Sequence, residues 1–310
     1  MKFIIDTDLG IDDAIAFLMI LGHPQADIEA ITTVVGNIPL AQATHNVGVV
    51  LNAAQAPPIP IFQGCAKPLM QNEPLHAMDF HGSDGLGGAG QSHPNRSIEA
   101  EHAVTALIRL ARAHSGQVSL LTLGPLTNIA LAIRLAPDFL SHFERVVMMA
   151  GAVDGRGNTS EVAEFNIAVD PEAAAIAFEA CQQVADRVWL VSWEASLNHA
   201  TPLETWHRFI SGDTAQAKFV QAMSQFAESV VADYGYSAIP WADPLAAAVA
   251  LEPEIVTAYD TCLVQVDVGH TLARGSTIPD YRSRHRQITN MKIVRAVDPE
   301  KFEAILQLVV

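Results

Sequence analysis

Four carboxylates fall within eight residues near the start of the chain. They are Asp6, Asp8, Asp12 and Asp13 of Ile4-Ile5-Asp6-Thr7-Asp8-Leu9-Gly10-Ile11-Asp12-Asp13-Ala14. An apolar strand candidate, Phe3–Ile5, runs straight into them, and a helix candidate, Asp13–Leu21, leaves them and ends near Gly22. In an open parallel sheet, ligands bind outside the carboxyl ends of the strands, which is where such a turn sits. Some of the acids then lie near a helix N-terminus, where negative charge is favoured. Helix capping, with Asp12 as N-cap and Asp13 in the first turn, accounts for one or two of them. It leaves unexplained a pair at the end of a buried strand, whose mutual repulsion needs a counter-charge. A hard cation with oxygen ligands would supply it.

The rest of the chain repeats the strand-then-helix order. Asp27–Val35, Gln117–Thr122, Val146–Met149, Val188–Val191 and Thr261–Val268 read as strands. Helices are expected around Ala41–Ala54, over Ser97–Ala113 with Ser97 as a possible N-cap, and over Thr127–Leu135, Pro171–Ala180, Ala215–Ala232 and Leu245–Leu251. Strands that are apolar throughout, separated by helices, indicate a mostly parallel sheet covered on both faces. No Pro/Ser-rich linker or internal repeat divides the chain, so one Rossmann-like α/β domain over residues 1–310 is expected. Gly82–Gly90 and Gly151–Ser160 read as loops.

Composition narrows the function classes. Half the residues are hydrophobic, ample for a continuous core, so disorder is excluded as a description of the whole. Lys and Arg number 18 against 34 Asp and Glu, a net charge of −16, which argues against a nucleic-acid partner. Cys65, Cys181 and Cys262 are far apart and form no CxxC or Cys/His ligand spacing, so no disulfide framework or zinc ribbon is expected. Asp6 interrupts any signal-peptide apolar region, and no stretch approaches the ~18–20 apolar residues of a membrane span. The expected setting is the cytoplasm, with no membrane partner.

Gly85-Leu86-Gly87-Gly88-Ala89-Gly90 fits the dinucleotide-binding G-x-G-x-x-G. That fingerprint needs a strand before it and a helix after it. Here His81-Gly82-Ser83-Asp84 precedes and Gln91-Ser92-His93-Pro94 follows, so the match reads as accidental and the segment as a mobile loop over a substrate. Further on, Asn158, Glu164 and Asn166 are polar groups suited to hydroxyls, or simply a polar loop ahead of a helix started by Asp170-Pro171. Asp243, in Trp241-Ala242-Asp243-Pro244, reads in isolation as a plain N-cap.

Taken together these segments point to one family. Asp6–Ala14, Ile31-Thr32-Thr33-Val34-Val35-Gly36-Asn37, His81-Gly82, Leu123-Gly124-Pro125-Leu126-Thr127-Asn128, Glu164-Phe165-Asn166 and Asp243-Pro244 resemble, in matching order, the inosine–uridine nucleoside hydrolases. The resemblance covers roughly residues 1–250 and weakens beyond. It implies Ca²⁺-dependent hydrolysis of the N-glycosidic bond of ribonucleosides to free base and ribose. In that family Asp8, Asp13 and Asp243 match calcium-ligating carboxylates, and Leu123 matches a ligating backbone carbonyl. Asp8 also matches the general base. Asp12 and Asn166 match residues that hold the ribose 2′- and 3′-hydroxyls, with Asn37 close by. Asn158 and Glu164 match contacts to the 5′-hydroxyl end, Met149 an apolar pocket contact, and His81 a histidine near the base. Asp6 would orient the turn from behind. The resemblance also implies a homodimer or homotetramer.

Two positions depart from the family pattern. Leu9 stands where proline is usual, which removes no ligand. Ala242 stands where many members have the histidine proposed to protonate the leaving base. Purine-specific members that lack it stack the purine between tryptophans, and Trp241 is one residue removed from that pattern. A purine-leaning enzyme is therefore expected, with Tyr234 or Tyr236 as the other candidate proton donors. Two alternatives remain: a non-catalytic nucleoside- or ribose-binding protein, and a haloacid-dehalogenase-like phosphatase, whose aspartate pair Asp6-Thr7-Asp8 resembles.

Overall fold

The computed structural model describes residues 1–90, 94–282 and 288–310. Strand β1 (Lys2–Thr7) is buried from Phe3 onward. It leads through the acidic turn into helix α1 (Ile11–Gly22), β2 (Asp27–Thr33), α2 (Leu40–Ala53) and β3 (Ile61–Gln63). A short helix α3 (Met78–His81) precedes α4 (Ala103–Ala113), β4 (Val118–Thr122), α5 (Thr127–Leu135) and β5 (Val146–Met149). Next come α6 (Phe165–Val169), α7 (Pro171–Ala180), β6 (Val188–Val191), α8 (Trp193–Asn198), β7 (Thr201–Pro202), α9 (Leu203–Phe209), α10 (Ala215–Asp233) and β8 (Ala238–Ile239). The chain closes with α11 (Ala242–Leu251), β9 (Val256–Val266), β10 (Thr277–Asp280), β11 (Met291–Val297) and α12 (Pro299–Leu306).

Among the described residues one nine-stranded sheet runs in the order β10-β9-β11-β6-β5-β4-β1-β2-β3. Strands β1 to β6 and the β6–β11 pair are parallel. The winding proceeds outward from β1 to β3, then returns to place β4 on the other side of β1. That reversal opens a crevice at the carboxyl ends of β1 and β4, the usual ligand site of doubly wound sheets. Asp6–Asp8 and Leu123–Gly124 meet there, since Asp6 pairs with Thr122 in register. Apolar side chains fill both faces of the sheet, and α11 is buried at every position because its run of alanines admits close approach.

Several expectations need correction. The helix expected from Ser97 begins at Ala103, capped by His102, whose Nδ1 accepts from Val104 N–H at 3.3 Å; Glu99 instead bridges to Phe62. The first helix is capped by Gly10, not Asp12. The strand expected over Thr261–Val268 covers Val256–Val266, and with β10 and β11 it forms an antiparallel edge. Its first half, Thr257–Tyr259, faces solvent, so it lacks the apolar run that marked the interior strands. Asp170 is the expected N-cap, accepting from Ala173 N–H at 3.1 Å. All three cysteines are free thiols. No helix of the described residues is long and apolar enough to cross a membrane.

The glycine-rich stretch is a packed brace rather than a mobile cover. Leu86 is buried, and Asp84 collects the N–H groups of Leu86, Gly88 and Gly90 at 3.0 Å each. Buried Asn46 donates to both the Leu9 and Asp84 carbonyls, tying the stretch to the acidic turn. The reading that no helix follows falls partly on Gln91–His93, which lie outside the described residues.

Candidate active site

Each carboxylate of the turn has its own set of donors. Asp6 receives Thr32 Oγ1–H at 2.5 Å and Asn128 Nδ2–H at 2.8 Å, both on one oxygen. Asp8 receives Asn37 N–H at 2.6 Å on Oδ2, while its buried Oδ1 has no hydrogen-bond partner. Asp13 reaches back to Gly10 N–H at 2.7 Å and also accepts from Thr7 Oγ1 at 2.5 Å and Asn37 Nδ2 at 3.3 Å. The backbone is drawn tightly around Asp8. A Cβ at Gly36 would stand 2.0 Å from its Oδ2, and one at Gly124 2.8 Å from its Oδ1. Only glycine permits that approach.

Asp243, at the second position of α11, joins this group from the far side of the chain. Trp241, not Asp243, is the N-cap of α11, so the plain capping reading fails. One carboxylate oxygen each from Asp12, Asp13 and Asp243 lies within 4.8 Å of the others. Burial pushes the Asp8 and Asp243 carboxyls well above the usual range, and the neighbouring aspartates push in the same direction. Burial likewise raises Asp13 to about 6, reinforced by Asp12, and raises Asp12 to about 6. The Asp12 side chain keeps 24% exposure. Among the described residues no Lys or Arg pairs with any of them; the nearest base is His81, whose Nδ1 is 3.9 Å from Asp12. Burial holds the His81 ring near a pKa of about 4, and its Nδ1 accepts Ile11 N–H at 3.1 Å, so it supplies no positive charge.

This cluster forms the floor of a cavity. Asp12, Asn37, His81, Leu123, Met149, Asn158, Glu164, Asn166, Trp241 and Asp243 all line it, whereas Asp8 and Asp13 lie beneath. Asn166 Nδ2 donates to the Leu123 carbonyl at 2.7 Å and to the Met149 carbonyl at 3.1 Å, fixing its Oδ1. Glu164 caps α6, accepting from Asn166 and Gly151 N–H at 2.8 Å each and Ile167 N–H at 3.3 Å. Burial raises its carboxyl to about 7 against the pull of those donors. Asn158 Oδ1 accepts Phe165 N–H at 2.9 Å.

The outer wall was not legible in the sequence. Phe80, Trp193, Ala227, Val230 and Val231 close it. The α10 residues among them read only as the apolar stripe of a helix, and nothing in their spacing separates cavity wall from core. Trp241 is 3% exposed and tilted against Trp206 at 4.7 Å between ring centres, with its Nε1 buried and unpartnered. Tyr234 and Tyr236, weighed as proton donors, are not among the lining residues. They are exposed, and Tyr234 stacks on Phe80 at 5.4 Å.

Sequence and structural comparisons agree with this geometry. Residues 3–304 match the family model described as inosine-uridine preferring nucleoside hydrolase, so the likeness runs well past residue 250 into the C-terminal part. The chain is 35% identical over 304 residues to the inosine-uridine preferring nucleoside hydrolase of Crithidia fasciculata, covering 97% of this chain and 94% of that protein. It is 32% identical to the pyrimidine-specific ribonucleoside hydrolase of Salmonella paratyphi A, covering 99% and 97%. The solved purine-preferring ribonucleoside hydrolase from Gardnerella vaginalis superposes with a TM-score of 0.90 at 26% identity, covering 100% and 98%. The haloacid-dehalogenase-like alternative finds no support in these likenesses. With the aspartate cluster at the switch point and a match along nearly its whole length, the chain belongs to the inosine-uridine preferring nucleoside hydrolase family.

Proposed function

We propose that the chain hydrolyses the N-glycosidic bond of ribonucleosides with Ca²⁺ held at the cavity floor, and that it favours purine bases. The observation that carries the reading is the cluster itself. Among the described residues, four aspartates are gathered with no cationic side chain paired to them, and one buried oxygen of the four, Asp8 Oδ1, has no hydrogen-bond partner. An oxygen-only donor set of this kind suits a hard cation.

Asp8, Asp13, Asp243 and the Leu123 carbonyl would hold the ion, with Asp12 at its edge. When bound, Ca²⁺ offsets the carboxylate repulsion and makes a neighbouring water more acidic. Asp8 would take a proton from the attacking water, a role worth roughly 10²–10⁴-fold. Asp12 and Asn166 receive and orient the 2′- and 3′-hydroxyls, aided by Asn37. Their bonds tighten as the sugar flattens toward an oxocarbenium-like state, so they favour the transition state over bound substrate. Asn158 and Glu164 stand at the 5′-hydroxyl end.

Relatives are named for pyrimidines and for purines alike, so base preference rests on the residues at the outer end of the cavity. At the outer end Ala242 offers no proton, and Phe80, Val230 and Val231 are apolar. His81 keeps its ring neutral, with Nδ1 occupied. A departing purine can be protonated at its imidazole nitrogen by solvent, a route that a pyrimidine lacks, and aromatic faces such as Trp241 favour it by stacking. The test is release of reducing sugar from inosine, adenosine, guanosine, uridine and cytidine. Purine ribonucleosides are expected to be the better substrates. Uridine hydrolysis equal to that of inosine would overturn the preference, and no sugar release from any of them would favour a non-catalytic binder.

A further inference from the structure

A buried acid that takes no part in the chemistry above controls one wall of the cavity. Glu194, in the first turn of α8, is 3% exposed. Its Oε1 accepts Asp154 N–H at 2.8 Å and Arg156 N–H at 3.2 Å, and its Oε2 accepts Val153 N–H at 3.0 Å. Next to it, Trp193 N–H donates to the Gly151 carbonyl at 2.9 Å. From outside, Arg295 Nη1 holds Asp154 at 3.0 Å. The loop therefore leaves β5 with three amides, those of Val153, Asp154 and Arg156, turned onto one carboxylate. It then arrives at Asn158, whose Oδ1 is engaged by Phe165 N–H and whose Nδ2 has no partner among the described residues.

We infer that Glu194 is a positioning residue that sets Asn158 for the 5′-hydroxyl of the nucleoside sugar. The inference rests on the reading above that Asn158 meets that hydroxyl. Three backbone donors converging on a carboxylate make a firm support: without it the buried Val153 amide would lack an acceptor, and the part-buried Asp154 and Arg156 amides would have to turn to solvent. A carboxamide cannot replace it. Glutamine carries one acceptor oxygen and turns an NH₂ group toward at least one of the three N–H donors. Released at that point, Asn158 keeps its own N–H on the Ala163 carbonyl at 3.2 Å and its Oδ1 on Phe165 N–H, but the chain leading to it from β5 loses the support that sets how far it reaches into the cavity.

The experiment compares kcat/KM for inosine and 5′-deoxyinosine in wild type, Asn158→Ala, Glu194→Gln and the double variant. The ratio between the two substrates within one preparation is independent of how much protein is folded. Wild type is expected to favour inosine, and Asn158→Ala to cut that preference by about tenfold, leaving what Glu164 contributes. Glu194→Gln is expected to lower the ratio by about fivefold, the scale of one ordinary hydrogen bond. Most of the change should lie in KM for inosine, with 5′-deoxyinosine little affected and no further loss of ratio in the double variant. If Glu194→Gln fails to fold, Glu194→Asp, which withdraws both oxygens by one methylene, is read by the same ratio. Equal losses on both substrates, or an unchanged ratio while Asn158→Ala lowers it, would overturn the role of Glu194 alone. A ratio unaffected by Asn158→Ala would overturn the reading of Asn158 and the inference with it.

Discussion

At the sheet end of the cavity, two stretches distant in sequence close around the carboxylates: Thr32 and Asn128 donate to Asp6, Asn37 donates to Asp8 and Asp13, and Gly36 and Gly124 leave room for the Asp8 side chain. At the outer end the wall is built largely from Phe80, Ala227, Val230 and Val231, which have no side-chain donor or acceptor. The first region works by fixed polar geometry, in which each group has one place and each loss is large. The second works by shape and burial, in which one apolar side chain substitutes for another at modest cost. On the proposed reading, substitutions at the outer end can therefore alter base preference without disturbing the sugar end.

Substitution at the two ends should separate these modes by size of effect. Asp8→Asn keeps the shape but removes the proton acceptor and weakens the ion site, so kcat should fall by at least ~10²-fold. Near-normal turnover would show that the sheet end does not carry the chemistry. Asp12→Ala removes a charged partner of the ribose hydroxyls and should lower kcat/KM by roughly tenfold to a hundredfold, raising KM as well as lowering kcat. An effect on KM alone would mean that Asp12 holds substrate and transition state equally. At the outer end, Trp241→Ala should cost purine substrates about tenfold in kcat/KM, or somewhat less, the scale of one lost stacking contact. Uridine should be affected less, and an equal loss on both would place Trp241 in the core rather than at the base.

The sheet end was the more legible region because its chemistry is local. Asp6, Asp8, Asp12 and Asp13 crowd a strand-to-helix turn, and a run of like charges at the end of an apolar strand has few structural uses. The partners that hold them were not readable, since Thr32, Asn128 and Gly36 act across distances in sequence that only the sheet register closes. Asp243 looked like a helix cap because its neighbours, a proline and alanines, are those of any helix start. Glu194 had no signal at all, for an acid in the first turn of a helix is among the commonest placements on any surface. The antiparallel edge was misjudged at its boundaries for the opposite reason: β9 is half exposed and lacks the apolar run that marked β4 and β5.

The central claim is that the aspartate cluster is a calcium site, and the thermal stability of the metal-stripped protein tests it directly. Burial raises Asp6 to about 7 and Asp12 and Asp13 to about 6, against an ordinary value of 3.8. These carboxyls bind more protons in the folded protein than in the unfolded chain between those values, and with Glu164, also raised to about 7, they outnumber His81, whose lowered pKa acts the other way; stability is therefore expected to fall as pH rises from about 5 to 7. Calcium binds the ionised folded form and should reverse that fall. The measurement is Tm at pH 5 and pH 7, with and without Ca²⁺, for wild type and Asp243→Ala. The account predicts a lower wild-type Tm at pH 7 than at pH 5 without metal, a calcium-induced rise that is larger at pH 7, and no such rise in Asp243→Ala. A wild-type Tm indifferent to calcium at pH 7, or an equal response in Asp243→Ala, would contradict it.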